Sequence, residues 1–97
     1  MYYEYRIVTA TEPATPFPAN YLFVALINGN YEPVFAGECL SVWDEISKPE
    51  VARIFEKATA AYGPVMICDH LNQSEIARQA EWRDLIKKYR PPLNIGP

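Results

Sequence analysis

Ninety-seven residues, 49% of them hydrophobic, suit one domain with a packed core and exclude a disordered chain. A formal charge of −3 at pH 7 excludes the overall basic balance of a general nucleic-acid binder. The longest apolar run, residues 21–27, is too short for a membrane span, and MYYEYR lacks the charged-then-apolar plan of a signal peptide, so a cytoplasmic chain with no membrane partner is expected.

Residues 2–8 alternate and are rich in Tyr, Ile and Val, as a strand would be, with Tyr3, Tyr5 and Ile7 on one side. Pro13, Pro16 and Pro18 make residues 9–20 an extended loop. Residues 1–20 are thus read as a strand and proline-rich loop ahead of one compact unit, 21–97. The strand is free to join the edge of its own sheet or to pair with a second copy in a homodimer.

Residues 21–27 read as a buried strand by their continuous apolar run. Asn28-Gly29 then predicts a tight hairpin, because both central turn residues need positive φ. Residues 34–39 are the return strand, with Pro33 near its start. Residues 41–46 predict a short helical turn. Ser47 is the expected N-cap of a second helix carrying Pro49 in its first turn, where proline is tolerated. Val51, Ile54, Phe55, Ala58 and Ala61-Tyr62 are its core stripe, and Gly63 its left-handed cap. Residues 64–68 form a third strand. Cys39 and Cys68, isolated on strands, read as buried structural thiols. His70 follows as a surface residue. Asn72 with Glu75 predicts a capping box for a last helix over 74–89, which Pro91-Pro92 stops. The order predicts an α+β fold, a small, mainly antiparallel sheet of hairpin, third strand and N-terminal edge strand packed with helices.

On the last helix Ala77, Glu81 and Leu85 fall four apart and share a face. A carboxylate in an apolar stripe needs a donor, a cation or a metal unless it lies at the edge and reaches solvent, the plainer reading. From Ser74 onward five basic residues face three acidic ones, leaving +2 there and −5 before it. Arg83, Lys87 and Arg90 make one basic face. Arg83, Lys87 and Lys88 are the residues that would contact phosphate, although most such faces are simply solvated.

The ending resembles the C-terminal signature of the GIY-YIG endonuclease domain: Arg78, Glu81, Leu85-Ile86, then Pro91-Pro92-Leu93-Asn94. The hairpin extends the resemblance to about four-fifths of the chain. Tyr21-Leu22-Phe23 takes the place of the first name motif and Phe35-Ala36-Gly37 that of the second. In that family the paired tyrosines hold or activate the attacking water, a helical arginine neutralises the phosphate, the Glu binds a divalent metal and the Asn helps close the site. Here Phe23 and Phe35 lack the hydroxyls, and Glu45 stands where the arginine is expected. Pro49 stands where a His or Tyr is expected. Gly37, Glu81 and Asn94 remain. Phe23 and Phe35 then read as core packing, and Asp44 and Glu45 as a solvated face. A weaker reading groups Glu45 with Glu81 around a hard cation.

The resemblance implies a catalytically silent GIY-YIG-like domain, a pseudoenzyme serving as a binding or interaction module related to nucleic acid. The first alternative is an active endonuclease with an altered site, using Mg²⁺ or Mn²⁺ held by Glu81. The second is a self-associating structural protein. There is no Gly-rich phosphate loop, Cys/His metal motif or nucleophile elbow. Trp43 and Trp82 suit base stacking or a small core equally.

Overall fold

A computed structural model describes residues 3–95. Its elements are β1 (Arg6–Ile7), β2 (Ala19–Ile27), β3 (Asn30–Cys39), α1 (Val42–Glu45), α2 (Pro49–Tyr62), β4 (Val65–Leu71), α3 (Glu75–Tyr89) and α4 (Pro92–Ile95). The four strands form one sheet in the order β1-β4-β2-β3, and every neighbouring pair is antiparallel. The fold is therefore the expected small α+β sheet packed against helices.

The hairpin follows from two residues. Asn28 (φ 52°) and Gly29 (φ 83°) both take positive φ and fix the β2–β3 register, which sets Phe23 opposite Phe35 and Tyr21 opposite Gly37. Pro33 lies inside β3, where a central strand would not accept it. The edge position and a register shift between Phe23 and Val24, which leaves Val34 without a partner, accommodate the missing N–H.

Strand alternation divides the core in two. Tyr21, Phe23 and Ala25 face α1 and α2, packing with Val34, Val42, Val51 and Ala58. Leu22 and Val24 face α3, packing with Ala36, Cys68 and Leu85. Phe23 is ringed by Phe35 at 5.5 Å and an edge-on Phe55 at 5.2 Å between ring centres.

Local details depart from expectation at several ends. β1 is only two residues long and pairs with β4 of its own chain. The Arg6 guanidinium fastens it by gripping both oxygens of buried Asp69, at 3.0 and 2.9 Å. Tyr2, expected in this strand, lies outside the described residues. The proline loop packs inward through buried Ala14 and a bond from Trp43 N to Thr15 O. Lys48, not Ser47, precedes α2 and offers no side-chain cap; the Ser47 hydroxyl donates instead to Trp43 O. Ala61 of the expected α2 stripe is exposed. Gly63 ends α2 with positive φ but extended ψ (−149°), outside the left-handed helical well. β4 runs three residues past Cys68, and Ser74, not Asn72, caps α3 by accepting from Ala77 N. Arg90, in the left-handed conformation, ends α3, and the chain turns once more as α4. No helix among the described residues is long and apolar enough to cross a membrane.

Gly37 is required by close approach. A methyl there would overlap the Tyr21 ring, which lies across the glycine. Gly37→Ala is expected to destabilise the domain by about 1–3 kcal/mol, the usual cost of overpacking, read as a lower urea midpoint with unchanged slope.

Candidate functional site

The polar centre of the molecule lies on the α3 side of the sheet. Glu81 projects from the middle of α3 and is 1% exposed. The stripe that faces inward is Arg78, Glu81 and Leu85; Ala77, expected in it, is exposed. The edge-of-stripe reading of Glu81 is thereby corrected, for its carboxylate is surrounded by protein donors. His70 Nδ1 lies 2.9 Å from both carboxylate oxygens, and Asn72 Nδ2 donates to Oε1 at 3.3 Å. The Tyr5 hydroxyl donates to Oε2. Because a carboxylate only accepts, His70 carries its proton on Nδ1, which leaves Nε2 as the unprotonated nitrogen of a ring one-third exposed. His70 is therefore no bystander. It lies on β4 two residues after Cys68, on the same face, and contacts the rings of Tyr3 and Tyr5.

A second buried group adjoins this one. Arg78 Nε donates to Glu38 at 3.0 Å, and Nη1 donates to the Asn72 and Gln73 carbonyls at 3.2 and 3.1 Å. Asn20, fully buried between Glu38 and His70 in the strand register, donates to Arg78 O. These bonds pin the start of α3 to the sheet. One turn later the Tyr3 hydroxyl donates to Asp84 Oδ2 at 2.8 Å.

The remaining family-equivalent positions lie elsewhere. Phe23, Phe35 and Gly37 face α1 and α2, across the sheet from Glu81. Glu45 lies with them, accepting from the Tyr21 hydroxyl at 2.9 Å and pairing with Lys48 Nζ at 2.9 Å. Phe23 and Phe35 therefore share no cleft with Glu81, and Glu45 and Glu81 cannot share a cation through the sheet. What borders Phe23 is an apolar cavity of about 230 Å³ beside Phe55 and Ile67. Asn94 is an edge clamp. Its amide donates to Ala36 O at 2.8 Å and accepts from Ala36 N at 2.7 Å, while Trp82 Nε1 donates to the same carbonyl at 2.9 Å. Those bonds close part of the open β3 edge.

The fit of a Mg²⁺ or Mn²⁺ ion to Glu81 is poor. A hard cation needs several oxygen ligands, whereas Glu81 is met by N–H and O–H donors. No three His, Cys, Asp or Glu side chains gather as ligands among the described residues.

The basic residues of α3 remain available. Arg83, Lys87 and Lys88 are exposed and form no ion pair among the described residues. Lys87 and Lys88 line a cavity of about 560 Å³ with Tyr3, Tyr5 and Tyr89; Arg83 does not. Both cysteines are buried, on opposite faces, and burial pushes both thiols up, Cys39 to about 11.

Sequence reading missed Tyr5, His70, Asn72 and the pocket tyrosines. Continuing the β4 alternation beyond Cys68 would have placed His70 on the α3 face, but the polar Asp69-His70 pair resembles a strand end.

Two outcomes are expected. Glu81→Ala strands three donors and should cost about 2–4 kcal/mol in urea unfolding, with Glu81→Gln costing less because it keeps an acceptor. The second concerns pH. The hydrogen bond to Asp84 pushes Tyr3 up to about 12; burial, then Glu81, raises Tyr5, and burial, then Glu45, raises Tyr21. An unfolded phenol ionises near ~10, so the unfolded chain loses these protons first and stability falls as pH rises from there through the native values. Ultraviolet tyrosinate absorbance should show three of the seven tyrosines lagging until the chain unfolds.

Compared with family models, curated proteins and solved structures, the chain matches none.

Proposed function

We propose that this chain is a non-cleaving binding module on a GIY-YIG-like scaffold, engaging nucleic acid through the exposed basic residues of α3. The observation that carries the reading is the separation of Glu81 from the Phe23–Phe35 pair by the sheet, with its carboxylate already taken by Tyr5, His70 and Asn72. A cleaving site must bring water, metal and phosphate to one point. Here the aromatic pair is packed into a core, and the glutamate has become a structural acceptor.

The magnitudes agree. Loss of a positioned acid–base group costs about 10²- to 10⁴-fold, and loss of a transition-state charge partner on the order of 10²- to 10³-fold. These do not simply multiply, but one of each leaves little activity. Glu45 adds a negative charge where a phosphate would have to be held. Binding needs none of these groups, only unpaired cations, which Arg83, Lys87 and Lys88 supply.

A second reading, an altered but active nuclease, draws on His70, whose Nδ1 is fixed by Glu81, leaving Nε2 as the nitrogen that would act as a base. Supercoiled plasmid and branched DNA, with Mg²⁺ or Mn²⁺, separate the two. No cleavage above buffer is expected; cleavage that disappears in folded Glu81→Gln or His70→Gln establishes the nuclease. Binding to the same DNA should weaken steeply between low and moderate salt, and again when Arg83, Lys87 and Lys88 are reversed to Glu. Affinity indifferent to that reversal would sink the α3 interface.

A further inference from the structure

The cavity beside Lys87 and Lys88 is suited to more than a backbone phosphate. Its volume, about 560 Å³, falls within the ~300–1,000 Å³ range of small-molecule sites. Leu22 of β2 and Leu85 of α3, both buried, form its inner side, and the rings of Tyr3, Tyr5 and Tyr89 supply aromatic surface. Lys87 and Lys88, both exposed, also line it, with Lys88 Nζ 5.1 Å from the centre of the Tyr89 ring. Asp84 is the one carboxylate among the lining residues. Its Oδ2 accepts from the Tyr3 hydroxyl, and Oδ1 has no hydrogen bond among the described residues.

Each feature selects a different part of a ligand. Aromatic walls over an apolar base favour a planar ring, which stacks without regard to its sequence of heteroatoms. Two lysines lining one pocket suit a phosphomonoester, which carries about −1.5 to −2 at neutral pH, better than a singly charged carboxylate. The Asp84 carboxylate in the same lining suits an exocyclic amino group on that ring.

From this set of groups we infer that the pocket binds a nucleotide: the base lies among Tyr3, Tyr5 and Tyr89, and the phosphate sits on Lys87 and Lys88. The nucleotide is either free or the end of a single strand. The inference rests on the reading of the chain as a binding module and names the ligand that the module holds. Tyr3 and Tyr5 reach the pocket because their hydroxyls are held by Asp84 and Glu81, so the same bonds that anchor the N-terminal segment build one wall.

The test is a titration of the whole chain with adenosine monophosphate, adenosine, ribose 5-phosphate and a short single-stranded oligonucleotide bearing a terminal phosphate, followed by amide and side-chain NMR shifts. Adenosine monophosphate should bind on the order of tenfold or more tightly than adenosine or ribose 5-phosphate and shift Leu22, Leu85 and Tyr89. Tyr89→Ala should weaken it on the order of tenfold. The exposed double variant Lys87→Glu, Lys88→Glu should remove the advantage over adenosine while the spectrum of the fold persists. Ribose 5-phosphate binding as tightly as the nucleotide, or shifts that avoid the pocket, would overturn the inference. Oligonucleotide binding undiminished by Tyr89→Ala overturns the pocket but leaves the module; nucleotide binding with no oligonucleotide binding keeps the pocket and overturns the nucleic-acid module.

Discussion

The carboxylate of Glu81 is the joint on which this small domain is assembled. Three donors reach it from separate parts of the chain: Tyr5 beside β1, His70 near the end of β4, and Asn72 in the connection to α3. A buried carboxylate without partners would be costly, and removing water from it is tolerable only because the donors replace that water together. The same arrangement orients α3 across the sheet and draws the N-terminal segment over it.

The sheet then acts as a partition. Each face holds its own polar group, a tyrosine hydroxyl on a glutamate and an arginine on a carboxylate. On one face Tyr21, Glu45 and Lys48 border an aromatic core, with Arg6 and Asp69 further along. On the other, Arg78, Glu38 and Asn20 continue the Glu81 network toward the start of α3. Residues that a motif comparison sets side by side are thus kept apart by strand parity alone: Phe23 and Leu22 are neighbours in the chain and face opposite layers.

Both edges of the sheet are blunted. β1 is too short to template another strand, and the outer strand β3 is interrupted by Pro33 and clamped at Ala36 by Asn94 and Trp82. On the surface of α3, exposed Lys87 and Lys88 line a cavity with Tyr3 and Tyr5 of the N-terminal segment. The charge is uneven along the chain, −5 over the first 73 residues and +2 over the rest.

Local chemistry was legible in the sequence. The Asn28-Gly29 turn, the strand from Tyr21, buried as far as Ala25 though not at exposed Leu26, the stop after Tyr89 and the α+β order each follow from backbone preferences or apolar periodicity that a short window contains. So did the buried thiols. The fate of Glu81 was not, because the spacing from Ala77 to Leu85 says only that a face is shared. Whether that face meets water or three donors depends on residues 76, 11 and 9 positions away in the chain. Likewise no local signal shows that β4 continues through Asp69 and His70, for their polarity is satisfied only by Arg6 and Glu81 arriving from distant elements. Sequence determined the order of the main strands and helices and the hairpin turn between two of them. The tertiary structure decided which polar groups meet, because that depends on register and layer, and both are fixed by long-range packing.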